Sequence, residues 1–353
     1  FSQPPEMKAS FAAFGMTRRP GRSVSNDPGL RDLLQAKSDV ICFVAKSWDY
    51  HVRVALKTTN DENLACISDS VTAAIAADKQ AMVDCEHFFD GYKANPAYAM
   101  SCARAAHDAG ARWVVLCDTN GGTLPHEVED IVRAVAEQVP GSHLGIHAHN
   151  DTEQSVANSL AAVRAGARQI QGTLNGIGER CGNANLVSLI PTLMLKPAYA
   201  DRLETGIPEH GLSRLTHVSR AFDELLNRAP NRQAPYVGES AFATKAGIHA
   251  SALLKEPATY EHVPPQVIGN NRRVLVSDQA GKSNLVSEIE RAGISVDKSD
   301  PRLDALLHEV KNRETAGYAY DAAPASFQIL ARRALGTVAN FFEVDSFRVS
   351  VEH

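Results

Sequence analysis

The sequence predicts an α/β fold, a (β/α)8 TIM-type barrel whose first two βα units are missing, and three observations lead there. Short apolar runs recur along the first two hundred residues, amphipathic helical stretches separate them, and polar side chains gather at the C-terminal ends of the runs. The runs occupy residues 10–14, 39–44, 81–86, 113–118, 143–149 and 169–174. Near-continuous apolarity without strict alternation is the pattern of parallel strands covered on both faces. Parallel neighbours need a crossover, and the intervening helices supply one. An open doubly wound sheet would satisfy the same alternation, but it usually carries a Gly-rich phosphate turn after its first strand, and none occurs here. A barrel instead collects its chemistry at the C-terminal rim. That rim is where Glu86, Asp118-Thr119-Asn120, His147-Ala148-His149-Asn150-Asp151 and Thr173-Leu174-Asn175 fall.

The helices follow from spacing. Over residues 124–139, Val128, Ile131, Val132 and Val135 recur at three-to-four intervals, and over 153–167 Val156, Leu160 and Val163 make one stripe that ends near Gly166, a C-terminal stop. Six units are visible where eight are expected. Beyond about residue 196 the character changes to a helical stretch at 212–228, an irregular Gly- and Pro-containing segment at 229–283, and helices at 285–292, 302–313 and 324–335. Residues 341–351 alternate like a strand that has just begun a sheet. The expected organisation is an incomplete barrel over 1–197, mostly helical linker subdomains contributing to the active site over 198–322, and the start of a C-terminal regulatory or dimerisation domain over 323–353. Phe1 is not preceded by Met, and the expectation is a chain cut at its N-terminus and at its C-terminus.

Composition excludes several classes. Thirty-six Lys and Arg oppose 41 Asp and Glu in 353 residues with no basic block, which leaves no footprint for nucleic acid or an anionic membrane. No apolar run approaches the roughly 20 residues of a membrane span. Cys42, Cys66, Cys85, Cys102, Cys117 and Cys181 form no CxxC pair and read as free thiols of a reducing compartment, with the cytoplasm as the default.

His147-Ala148-His149 is the sharpest local feature. Residues two apart on a strand point to one side, so both imidazoles can face one metal ion. A bare HxH is also read as two hydrogen-bonded polar residues; its place at a barrel strand end, running into Asn150-Asp151, favours the metal. After the next strand, Asn175-Gly176-Ile177-Gly178-Glu179-Arg180-Cys181-Gly182-Asn183 offers glycines for close backbone approach and, at Asn183, a carbonyl oxygen as a third ligand. Glu179 and Arg180 are expected to brace that loop by ion pairing.

Together the HxHND strand and the GxGERxGN loop resemble the DRE-TIM metallolyase family, which includes 2-isopropylmalate, homocitrate and citramalate synthases. The likeness extends through Asp118-Thr119-Asn120-Gly121-Gly122 and the downstream segment from Gly238 to Ala250. Within the family it leans to the citramalate synthase branch, which continues the His-Ala-His-Asn-Asp motif with Thr152-Glu153-Gln154. Glu86-His87-Phe88-Phe89-Asp90-Gly91-Tyr92-Lys93 is similar to that branch as well.

The resemblance implies an acyltransferase that condenses acetyl-CoA, as co-substrate, with pyruvate or another 2-oxo acid and then hydrolyses the thioester. It implies a divalent cofactor (Mg²⁺, Mn²⁺ or Zn²⁺) on His147, His149 and Asn183, with Glu86, His249 and Tyr260 catalytic and Thr119 and Thr173 binding substrate. It also implies a homodimer in which the segment around His249 reaches the partner's barrel. 2-Isopropylmalate synthase, an aldol-cleaving lyase and an inactive fragment are the alternatives. The family's Asp-Thr-Thr-Leu-Arg-Asp-Gly strand, source of a carboxylate ligand and an arginine, is absent from these residues, so the chain alone is expected to be inert.

Overall fold

The computed structural model describes residues 9–320, 323–338 and 342–351, and the chain divides into two compact units, 1–193 and 194–353. The first holds six parallel strands: β1 (Ala12–Met16), β2 (Val40–Lys46), β3 (Gln80–Glu86), β4 (Trp113–Asp118), β5 (Leu144–Ala148) and β6 (Gln169–Gln171). They are hydrogen-bonded in the order β1-β2-β3-β4-β5-β6, each beside its neighbour in sequence. That monotonic order is the barrel's, because a doubly wound sheet sends the chain back past its first strand. Among the described residues β1 pairs only with β2, and β6 only with β5.

Between the strands run α1 (Pro28–Gln35), α2 (Asn60–Ala76), α3 (Phe88–Ala94), α4 (Pro96–Asp108), α5 (Pro125–Ala136) and α6 (Ser155–Ala165), and α7 (Leu186–Leu195) follows β6. Their ends carry the expected chemistry. The Thr59 side chain accepts from Glu62 N–H at the start of α2, Asn95 accepts from Tyr98 N–H at the start of α4, and Gly166 stops α6 at φ 125°. The apolar stripe foreseen at 124–139 is the buried face of α5.

The two-residue period of each strand separates two duties. Ile41, Phe43, Val83, Cys85, Val114, Leu116, Leu144 and Ile146 bury against the helices in one core with Ile67, Val71 and Val132. The alternate residues, among them Asp84, Glu86, Cys117 and His147, face the concave side. At the sheet centre both faces are covered, since Val115 and Cys42 are buried too. Strand boundaries shift by up to three residues from expectation: β1 starts and ends two residues later than the expected run, and β2 ends two residues later. Residues 141–143 form a 3-10 turn ahead of β5, and β6 ends at Gln171 because residues 174–176 turn through Asn175 at φ 58°.

The second unit contains α8 (Leu215–Leu225), β7 (Ala243–Thr244), α9 (Gly247–Lys255), β8 (Arg273–Val274), α10 (Lys282–Arg291), α11 (Arg302–Thr315) and α12 (Pro324–Ala334). The segment at 229–283 is therefore not wholly irregular: α9 forms because Ala250 and Leu253 bury together against Val274. Leu285, Ile289, Leu303, Leu306, Phe327 and Ala331 share one core, so the boundary expected at 322/323 falls inside this unit. The strand expected at 341–351 does not form among described residues 342–351; Phe342, Phe347 and Val349 are exposed, and an alternating run stays irregular without a neighbour to pair with. Its first residue, Phe341, lies outside the described residues. All six cysteines are free thiols, five of them buried. Among the described residues no helix is long and apolar enough to cross a membrane.

Candidate active site

Strand ends deliver the site. Lys46 closes β2, Glu86 closes β3, Asp118 closes β4, and His147 and His149 straddle the end of β5. Glu86, Thr119, His147, His149 and Asn183 line one cavity of about 290 Å³, joined there by Asp84. Clefts of about 330 and 380 Å³ elsewhere on this unit contain no histidine, so chemistry and not size singles out the rim.

The two imidazoles stand with ring centroids 5.1 Å apart. His147 Nδ1 lies 2.7 Å from Gln171 Oε1, which leaves Nε2 without that tie. His149 Nδ1 is buried with no hydrogen-bond partner, and so is Asn183 Oδ1. Asn183 is oriented from both sides: its Nδ2 donates to the Ile177 carbonyl at 3.2 Å, and its backbone bridges to His149. Burial pushes the His149 pKa down, and His147 and Arg180 add to the effect, so the ring is neutral and its lone pair available. An unpaired buried acceptor costs about 1–3 kcal/mol, and two side by side fit a site that closes on a cation. The donor set is two imidazoles and an amide oxygen; among the described residues no group of three or more His, Cys, Asp or Glu side chains gathers for a metal.

Lys46 Nζ donates to Glu86 Oε2, an ion pair that holds the carboxylate in place. Ser47 Oγ fixes the same turn by donating to the Glu86 carbonyl at 2.7 Å. The next residue, His87, sits at φ 55°, a left-handed kink that swings the chain into α3. Its N–H donates to Thr119 Oγ1 at 2.8 Å, leaving the threonine hydroxyl hydrogen free to donate to a ligand. Asp118 has another task. Thr123 Oγ1 donates to it at 2.9 Å within the core, and burial raises its pKa.

Thr173 is not on the cavity wall; its hydroxyl donates to the Ile177 carbonyl at 2.6 Å and braces the glycine loop. Arg180 clamps the same loop, donating to both oxygens of Asp151 at 2.6 and 2.9 Å and to the Thr119 carbonyl at 2.8 Å, with Glu179 3.7 Å away. His249 and Tyr260 belong to the second unit, where their exposed rings lie 4.5 Å apart. Lys46, Asp84 and Gln171 escaped the sequence reading. Period two would have placed Asp84 on the same face as Glu86, but pairing across strands, such as Lys46 beside Glu86 and Gln171 beside His147, is visible only in the register.

A family profile described as HMGL-like matches residues 23–228, and one described as homocitrate synthase post-HMGL domain-like matches residues 236–317. The (R)-citramalate synthase of Aquifex aeolicus is 49% identical over 343 residues, 97% of this chain and 64% of its own length. Five curated relatives of that name, from as many organisms, are 44–49% identical. The homocitrate synthase of Saccharolobus solfataricus is 30% identical over 77% of this chain and 56% of its own length. The chain thus spans just under two thirds of the length of the citramalate synthases it matches. In fold it is similar to the hydroxymethylglutaryl-CoA lyase of Pseudomonas aeruginosa, with a TM-score of 0.51 at 18% identity over 72% of this chain and 76% of that one.

Proposed function

The chain belongs to the HMGL-like family of TIM barrels, and from that premise we propose that it carries the catalytic barrel of an (R)-citramalate synthase, condensing acetyl-CoA with pyruvate to (R)-citramalate and CoA on the route to isoleucine. The observation that carries this reading is the gap in identity between relatives named for citramalate and those named for homocitrate, 44–49% against 30–31%.

His147, His149 and Asn183 would hold a divalent cation, which supplies Lewis acidity to the 2-oxo acid's carbonyl and carboxylate oxygens. The chain's own residues account for the rest. Glu86, positioned by Lys46, is an acceptor for a proton of the acetyl methyl group. The carbon so activated bonds to the ketone carbon, whose oxygen takes up a proton. Thr119 presents its hydroxyl to the 2-oxo acid carboxylate while His87 N–H occupies its oxygen. Water then cleaves the thioester, releasing CoA as the thiol and a carboxylate. His249 and Tyr260 are our candidates for activating that water, in a homodimer where each chain serves its neighbour.

Thiol release from acetyl-CoA tests the reading, with pyruvate, 3-methyl-2-oxobutanoate and 2-oxoglutarate offered separately. The assay is run on the chain and on a hybrid in which it replaces the matching 343 residues of the Aquifex aeolicus relative. Pyruvate is expected to be preferred by at least about tenfold over the branched acid, the scale of discrimination that one or two methyl groups allow. A hybrid that favours either other acid overturns the assignment.

A further inference from the structure

We propose that Asp84, acting through Gln171, sets the tautomer of His147 and so aims its Nε2 lone pair into the cavity. Gln171 stands opposite His147 in the β5–β6 register, so the two side chains are neighbours on the concave face. The Gln171 amide makes contacts at both ends. Nε2 donates to Asp84 Oδ1 at 2.7 Å and lies 3.3 Å from Met82 Sδ; Oε1 lies 2.7 Å from His147 Nδ1. A carboxylate oxygen and a thioether accept hydrogen bonds, so they must face the NH₂ end of the amide. That turns Oε1 to His147, and a ring nitrogen facing an oxygen at this distance must carry the hydrogen. With the proton on Nδ1, the Nε2 lone pair is free.

Asp84 lines the cavity, yet its part is that of a positioning residue two side chains removed from the metal-facing nitrogen. If the acceptor at residue 84 were lost, the amide could turn over. It would then show N–H to Nδ1 and move the ring proton to Nε2, the atom needed as a ligand.

This inference rests on the proposed metal role of His147, and its test separates the two. Asp84→Ala removes the acceptor; Asp84→Asn keeps an acceptor oxygen and removes the charge. The ¹⁵N shifts of His147 in the metal-free protein report the tautomer directly, and titration with Mn²⁺ alone reports affinity. In D84A we expect His147 to move from Nδ1–H toward Nε2–H and Mn²⁺ affinity to fall about ten- to a hundredfold, with D84N recovering most of both. A second pair guards against a folding defect. Gln171→Glu sets two carboxylates side by side and should disturb the site, whereas D84N/Q171E, with donor and acceptor exchanged, should restore the Nδ1–H form. An unchanged tautomer in D84A, or equal damage in D84N and D84A, overturns the proposal. If the hybrid protein carrying the wild-type residues of this chain fails to bind Mn²⁺, the metal reading falls, while the tautomer shifts still decide the relay.

Discussion

Asp27 shows how one side chain ties chemistry to stability. Burial opposes its ionisation, but the N–H groups of Arg19, Gly29 and Leu30 donate to the carboxylate at 2.6, 2.9 and 3.3 Å and hold its pKa below the usual carboxylate range. A folded-state pKa lower than the unfolded one means the stabilisation is present above the unfolded value, near about 4, and is lost as pH falls through the folded value. Asp27→Asn keeps a cap on α1 but presents NH₂ to at least one of those donors. We expect it to cost about 1–2 kcal/mol at pH 7, and the cost to shrink toward pH 3. Urea unfolding of both proteins at pH 7, 5 and 3 measures this; a difference independent of pH would sink the account. The site residues were unevenly legible at this scale. His147, His149 and Asn183 stood out because their types suit a metal, whereas Lys46 and Gln171 carry no such signature and matter through what they touch.

The loop between β6 and α7 shows what an element adds. Gly182 adopts φ +92°, and a Cβ there would stand 2.0 Å from the Gly176 carbonyl oxygen. Its own carbonyl accepts from Asn150 N–H at 2.9 Å, and the neighbouring Asn183 N–H donates to the Gly176 carbonyl at 3.2 Å. Gly182→Ala therefore strains the backbone beside a proposed ligand. It should destabilise by about 1–3 kcal/mol and weaken Mn²⁺ binding as Asn183 moves. Thermal unfolding and a Mn²⁺ titration test the two halves; full affinity in a destabilised variant would show that Asn183 is not held by this turn. The glycines were visible in the sequence as tight turns, but the partner each one faces was not, because residues 176 and 182 meet only once the loop folds back on itself.

For the molecule as a whole, the proposed homodimer makes a prediction that no single chain can satisfy. If His249 of one chain serves the Glu86 of another, neither Glu86→Gln nor His249→Ala alone should turn over at more than about a hundredth of the wild-type rate. Their equimolar mixture should recover up to about a quarter, since half the dimers would be hybrids with one intact site of two. Thiol release after verified subunit exchange measures it, in the same hybrid protein used for substrate choice. A mixture as inactive as its parents, with both chains folded, would remove His249 from shared catalysis.

The strand–helix alternation, the buried helix faces and the HxH and glycine-loop motifs could all be read from the chain, because periodicity and residue type are local properties. The sequential order of the six strands was inferred there and is seen in the hydrogen bonding. What the linear order could not contain is register. Lys46 comes beside Glu86, and Gln171 beside His147, only when parallel strands separated by crossovers of 20 residues or more align their ends. The same limit explains α9 and the irregular tail: short segments take their form from what they pack against. Ala250 and Leu253 have Val274 to bury against, while the alternating side chains of 342–351 have no such surface among the described residues.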